Sequence, residues 1–338
     1  MRRCAVAIVL AAVGAALVPA AAPGVARGRS AWTFLPSPGH RIAGFAMDRE
    51  WLAVAQDPTA RGACPVVRLL RPSGGAGARW LTRADGPTCR LGGRFWVRPG
   101  DRALGLALTK ALWVVRRGST AIAVKASAIE REVVLARVTG IGPARGPFLG
   151  PVVATNWLRL FGRYTRSPGG TLTGGVVSGN RRELWTATGP VLPLGLDDEE
   201  HAVSVGADGG IAMWHAHGAR YGRVPGARAR AAALDEGQVL VLRSDRPRLD
   251  VRLLSGRLVH SWPVARGAAP LLDADAGVAV YAAGAAVHEL TLATGRDHVA
   301  ARAPAGSKLL DVQIERRLLA YACRGGAAGR GRVVVVAR

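Results

Sequence analysis

A leucine followed by aspartate recurs as Leu196-Asp197, Leu234-Asp235, Leu272-Asp273 and Leu310-Asp311, in equal steps of 38. A second landmark, a turn glycine ahead of an apolar stretch, recurs at Gly179, Gly218, Gly256 and Gly295 with steps of 39, 38 and 39, in phase with the first. Within each unit, short apolar runs alternate with turn residues. Between Ala231 and Trp262 these runs are Ala231 to Leu234, Gln238 to Arg243, Leu249 to Leu254 and Leu258 to Trp262, separated by Asp235-Glu236-Gly237, Ser244-Asp245-Arg246-Pro247 and Ser255-Gly256. A unit of four short strands cannot bury its faces alone, so such units stack side by side around an axis. No useful 3.6-residue periodicity competes with this reading. The fold class is therefore all-β, a single β-propeller over residues 31–338 with blades of four antiparallel strands.

The N-terminal half repeats less tightly. Met47-Asp48 followed by Trp51 to Ala55, and Gly100-Asp101 followed by Leu104 to Leu108, read as one point of two successive blades, with turn glycines near Gly74 and Gly118. The wide step from Gly118 to Gly179 implies a longer blade, its surplus around Gly140 to Gly150 or Ser167 to Gly175. Six turn glycines give six blades. A seventh begins at Leu310-Asp311, runs through Leu318 to Ala322 and Val333 to Val336, and stops one strand short. Ala31 to Leu35 is predicted to supply that strand, stapling the last blade and leaving no open edge.

Ser204-Val205-Gly206-Ala207-Asp208-Gly209-Gly210-Ile211-Ala212-Met213-Trp214-His215 resembles a WD40 repeat: a serine-containing strand, an Asp-Gly turn and a strand ending in Trp-Asp. His215 stands where the family has aspartate, and Asp208 and Trp214 match residues with structural parts in it. One blade resembles the family well; the others match by period and turn chemistry. WD40 propellers are mostly binding platforms, so the resemblance implies partner binding. The sialidase turn does not fit, because Ala212 replaces its threonine and Trp214 comes one residue late. The adjacent cysteines of quinone-dependent dehydrogenases are missing.

Arg2 and Arg3, an uncharged run from Ala5 to Val18 and then small residues with prolines read as a signal peptide over 1–26, cleaved after Ala20 or, by preference, Ala26. The apolar run is short of the roughly 20 residues of a membrane span. A secreted or extracytoplasmic, soluble, monomeric protein of a GC-rich bacterial genome is expected. The formal charge of +23 becomes +21 without Arg2 and Arg3. The arginines are scattered over turns instead of forming a basic groove interleaved with aromatics, which argues against specific nucleic-acid binding. Weak attraction to anionic envelope surfaces follows from the charge alone.

Signal cleavage leaves Cys64, Cys89 and Cys323, an odd number in an oxidising compartment. Cys64 falls between the second and third strands of the first blade and Cys89 in the crossover to the next, two loops on one face of the disc. A Cys64–Cys89 disulfide is predicted, with Cys323 a buried thiol.

Candidate site residues are few. Pairing around Asp208 puts His201 opposite His215 and Glu199 opposite His217, and three imidazoles with a carboxylate suit zinc or another divalent metal. The competing reading is a polar strand end followed by a solvated Asp197-Asp198-Glu199-Glu200 turn. Asp273-Ala274-Asp275-Ala276-Gly277 begins like a calcium loop but lacks its distal glutamate and reads as a blade turn. No Gly-x-Ser-x-Gly elbow marks a nucleophile, so no catalytic residue and no other cofactor is assigned. The tryptophans read as inter-blade packing, with Trp32 an exception. The function expected is a non-catalytic scaffold binding a protein, glycan or envelope polymer; the alternative is an extracytoplasmic enzyme acting on a glycan or using a metal at the channel mouth. Carboxylates, histidines or arginines at that mouth would favour the enzyme, and a small apolar lining the scaffold. The innermost runs Val191 to Leu194, Ala231 to Leu234 and Pro270 to Leu272 point to the scaffold.

Overall fold

The structure, a computed structural model, describes residues 31–338 apart from 61, 73–77, 96–101, 103, 143–144, 156–157, 170, 179–182, 186–189, 198, 207–209 and 216–219. The predicted signal peptide lies outside the described residues. The strands form seven antiparallel sheets arranged as the blades of a β-propeller. The innermost strands, in blade order, are His40–Asp48, Leu104–Ala107, Phe148–Ala154, Pro190–Leu196, Ala229–Asp235, Ala268–Asp275 and Lys308–Glu315.

The predicted closure is present. Ala31–Phe34 runs antiparallel to Arg332–Ala337, pairing Ala31 with Val336 and Phe34 with Val333, so the last blade is built from both ends of the chain. Blade five also follows the reading closely, with strands Ala229–Asp235, Gln238–Arg243, Arg248–Leu253 and Leu258–Pro263.

The core lies between blades, where each sheet covers its neighbour's face. Val54, Phe45 and Leu52 of the first blade pack on Ala320, Ala322, Val333 and Val335 of the last, and Leu69 and Val67 pack on Trp113 and Val124 of the second. Trp113 and Trp214 are fully buried, and each indole must find an acceptor there. Trp214 donates to Ser204 Oγ at 3.0 Å, and Trp113 to Thr88 Oγ1 at 3.1 Å. Trp32 is half-buried near Phe34 and Leu318, whereas Trp80 is exposed on its outer strand, with Arg68 5.3 Å from its ring. Trp80 thus departs from the packing role expected of it.

Blade two departs most from expectation. Its innermost strand comes in two pieces, Arg94–Phe95 and Leu104–Ala107, both paired with Lys110–Arg117. Ala107, not Asp101, is the counterpart of Asp48, and Gly118 lies in the turn between the second and third strands, not the third and fourth. The surplus residues sit mainly in the long crossover after Arg79–Trp80, which includes a one-turn helix, Pro87–Leu91, and in the crossover from Val138 to Phe148. Five helical residues are too few to leave a periodic signal.

Cys64 and Cys89 form the expected disulfide, with Cα atoms 4.8 Å apart, tying the helix to the loop of blade one. Cys323 is a buried free thiol whose ionisation burial pushes upward.

Candidate functional site

Each innermost strand runs along the central channel and ends at the turn to the second strand. The turns Glu236-Gly237 and Ala276-Gly277 have φ of 46° and 74°, and 51° and 76°, the positive pair that a tight two-residue hairpin requires. The last strand residue before such a turn is acidic in four blades: Asp48, Asp235, Asp275 and Glu315.

These carboxylates join one blade to the next. Gly277 N–H donates to Asp235 Oδ2 at 2.8 Å, Arg316 N–H to Asp275, Leu108 N–H to Asp48, and Arg49 N–H to Glu315. In blade four, Asp197 instead accepts from its own turn, from the N–H groups of Glu199 at 3.1 Å and His201 at 2.8 Å. The regular Leu-Asp spacing hides a drift. Asp235, Asp275 and Glu315 are the structural equivalents, each closing its innermost strand, whereas the even Leu-Asp steps place Asp273 two residues and Asp311 four residues further back along their strands.

The result is a cavity of about 330 Å³ at one channel mouth, bordered by Asp48, Asp197, Glu199, Asp235, Glu236, Asp273, Asp275 and Glu315. Blades two and three contribute Leu104, Leu106, Val152 and Val153 to its other side. Arg102, ahead of the second piece of blade two's innermost strand, reaches across the channel. Its Nη2 lies 3.1 Å from Asp273 Oδ1 and its Nε 3.7 Å from Asp311 Oδ1, and it donates to the Leu272 carbonyl at 3.3 Å. Arg102 also borders a smaller cavity of about 50 Å³.

Crowding decides the protonation of the mouth. Burial, then the nearby charges of Asp275, Asp48 and Asp273, push Glu315 up to about 7. Burial pushes Asp311 up to about 6 even though Arg102 opposes it, and it also raises Asp235 and Asp273. Desolvation therefore outweighs the ion pair for Asp311.

Of the three histidines expected to hold a metal, two are described. His201 pairs with His215 as the register predicted, with ring centroids 6.0 Å apart, and His201 Nδ1 lies 2.9 Å from Asp197 Oδ2. Tyr221 packs edge-on against His201 at 5.4 Å. His217 lies outside the described residues, as does Asp208, and among the described residues no group of three or more His, Cys, Asp or Glu is placed to share one ion. Asp273 and Asp275 accept backbone N–H groups of the next blade, as fits a blade turn. The mouth is the acidic outcome, not the apolar one the innermost runs pointed to. Glu315 and Arg102 were missed. The acid before each two-residue turn was the available signal for Glu315; nothing in the sequence marked Arg102.

No protein-family model matches this chain, and no curated protein is similar to it in sequence. Among solved structures, the chain is similar to YCF48 bound to a D1 peptide, with TM-score 0.56 and 10% identity over 91% of this chain and 97% of that one. It is also similar to the β-propeller domain of the Trilobed protease from Pyrococcus furiosus, with TM-score 0.54 and 8% identity over 84% and 91% of the two chains. An acylaminoacyl peptidase in complex with a chloromethyl ketone matches with TM-score 0.56 and 8% identity over 88% of this chain; the chain spans about half, 51%, of that peptidase. Identities this low show the fold alone, and the fold hosts both peptidase-associated and peptide-bound propellers. The chain is a seven-bladed β-propeller.

Proposed function

We propose that this protein is a non-catalytic, extracytoplasmic binding scaffold whose acidic channel mouth receives a cationic group of a protein or peptide ligand. Carboxylates at a channel mouth also suit an enzyme, but among the described residues they stand without a nucleophile, and the binding reading rests on one observation: in a chain of formal charge +23, carboxylates from five blades converge on a single cavity. Five of them, Asp48, Asp235, Asp273, Asp275 and Glu315, are already held by backbone N–H groups of the neighbouring blade, so little ordering remains when an ammonium or guanidinium arrives. The only hydroxyl among the described lining residues is Thr155, and no serine, cysteine, histidine or lysine joins it. The WD40-like blade, with its buried Trp214 to Ser204 bond, supports a binding platform by analogy. Arg2, Arg3 and the apolar run that follows, together with the disulfide, support the extracytoplasmic location.

Titration calorimetry with a Lys-Arg-Lys peptide and a Glu-Gln-Glu peptide tests this. The basic peptide is expected to bind, more tightly at pH 8 than at pH 6 as Glu315 ionises, and Asp275→Asn/Glu315→Gln should weaken it by about tenfold or more. Equal binding of both peptides, or an unaffected double variant, would overturn the reading.

A second reading has its own observation. Glu315, raised to about 7 beside the carboxylate of Asp275, has the form of an acid and base pair acting on a glycosidic bond. Release of reducing ends from an envelope glycan, abolished in Glu315→Gln, would decide for it.

A further inference from the structure

The disc has two unlike faces. One carries the first-to-second strand turns and the acidic mouth; the other carries the second-to-third strand loops and the crossovers between blades. A GC-rich genome accounts for many arginines but distributes them without regard to face. The acidic residues are not so distributed. Among the described loops of the crossover face, the exposed acids are Asp85 and Asp245, and Asp245 is held by Arg243 at 2.7 Å. Asp57, at a strand end on that face, is buried and lies 3.7 Å from Arg41.

Against this near-absence of negative charge, blades two to seven each present an exposed arginine there: Arg117, Arg166, Arg228, Arg246, Arg302 and Arg330. In blade five the face is concave. Arg230, Arg246 and Arg266 border an open cavity of about 260 Å³ with Ser244, Arg243 and Asp245, whose carboxylate is taken up by Arg243, and the space is large enough for a phosphate group. We propose that the crossover face docks on the surface of an anionic lipid bilayer, with a headgroup phosphate seated among Arg230, Arg246 and Arg266.

The arrangement selects this partner over other polyanions. The arginines ring the flat end of a disc, so a planar array of charge can meet all of them together, whereas a linear polymer would follow one stripe and miss the rest. Single-stranded nucleic acid also needs aromatic platforms, and the exposed Trp and Tyr residues among those described, Trp80 and Tyr221, belong to outer strands and not to this ring. Docking in this pose points the acidic mouth away from the lipid. It does not depend on what that mouth binds.

Cosedimentation of residues 27–338, which include every strand of the ring, tests the proposal with vesicles of phosphatidylcholine in which about one lipid in three is phosphatidylglycerol. The chain is expected to bind at about 0.1 M salt and to be released at about 0.5 M salt. Removing Arg230, Arg246 and Arg266 together as alanines should lower the partition coefficient by about 100-fold, at about fivefold for each arginine near an anionic surface. The matched triple Arg131→Ala/Arg257→Ala/Arg317→Ala, exposed on the opposite face, should leave it within about threefold. Equal losses from the two triples would show that net charge and not the face governs binding. Equal binding to pure phosphatidylcholine, or failure to bind vesicles while binding soluble polyphosphate, would also overturn the proposal.

Discussion

Glu315 and Asp311 retain protons at pH values where ordinary carboxylates have lost them, for different reasons. Asp311 is raised to about 6 by burial against the pull of Arg102, while Glu315 reaches about 7 because three other carboxylates add to its burial. Each native pKa lies above that of the unfolded chain, so between roughly pH 4.5 and 7 the folded state binds more protons. The contribution of these groups to stability is then full below the ordinary carboxylate range and is lost as pH rises through their native values. Glu315→Gln removes the charge that is costly above pH 7 and keeps an acceptor for Arg49. Its melting temperature should exceed the parent's by about 3 °C or more at pH 8 and by much less at pH 5, measured by thermal unfolding across that range. A pH-independent difference would assign the effect to packing.

At the scale of elements, the helix Pro87–Leu91 is fixed twice, by Cys89 bonded to Cys64 and by Thr88 accepting from Trp113. Closing a loop across a sequence separation of 25 residues contributes roughly 3 kcal/mol in the chain-entropy model. The Cys64→Ser/Cys89→Ser variant should lose about that much in urea unfolding, and in the parent Cys323 should react with alkylating reagents only once the ring has opened. The sequence revealed the blades wherever turn chemistry was undisturbed, as around Asp235-Glu236-Gly237, and it revealed the closing strand because Val336 ended a blade one strand early. It misled where the innermost strand is broken, since Arg94–Phe95 and Leu104–Ala107 are each too short to show alternation. The acidic mouth stayed hidden for another reason. The even Leu-Asp spacing mixed Asp235, at a strand end, with Asp273 and Asp311, which lie deeper, and apolar runs such as Ala231 to Leu234 gave no hint that their ends converge.

Across the whole molecule, Arg102 links blade two to blades six and seven through the channel, and of its two carboxylate partners Asp311 is buried and Asp273 half-buried. Arg102→Met would leave Asp273 and Asp311 without their cation, and uncompensated buried charges of this kind cost about 3–5 kcal/mol. The loss should appear in urea unfolding at pH 7.5 and shrink at pH 5, where both carboxylates can protonate. A loss independent of pH would mean that Arg102 acts through packing alone. Ring closure has a mechanical corollary. Ala31 faces Val336, so both ends of the described chain leave the disc side by side, on adjacent antiparallel strands. A load drawing those ends apart meets the paired residues from Ala31 to Phe34 in turn, as the teeth of a zip part singly, and never loads them together in shear.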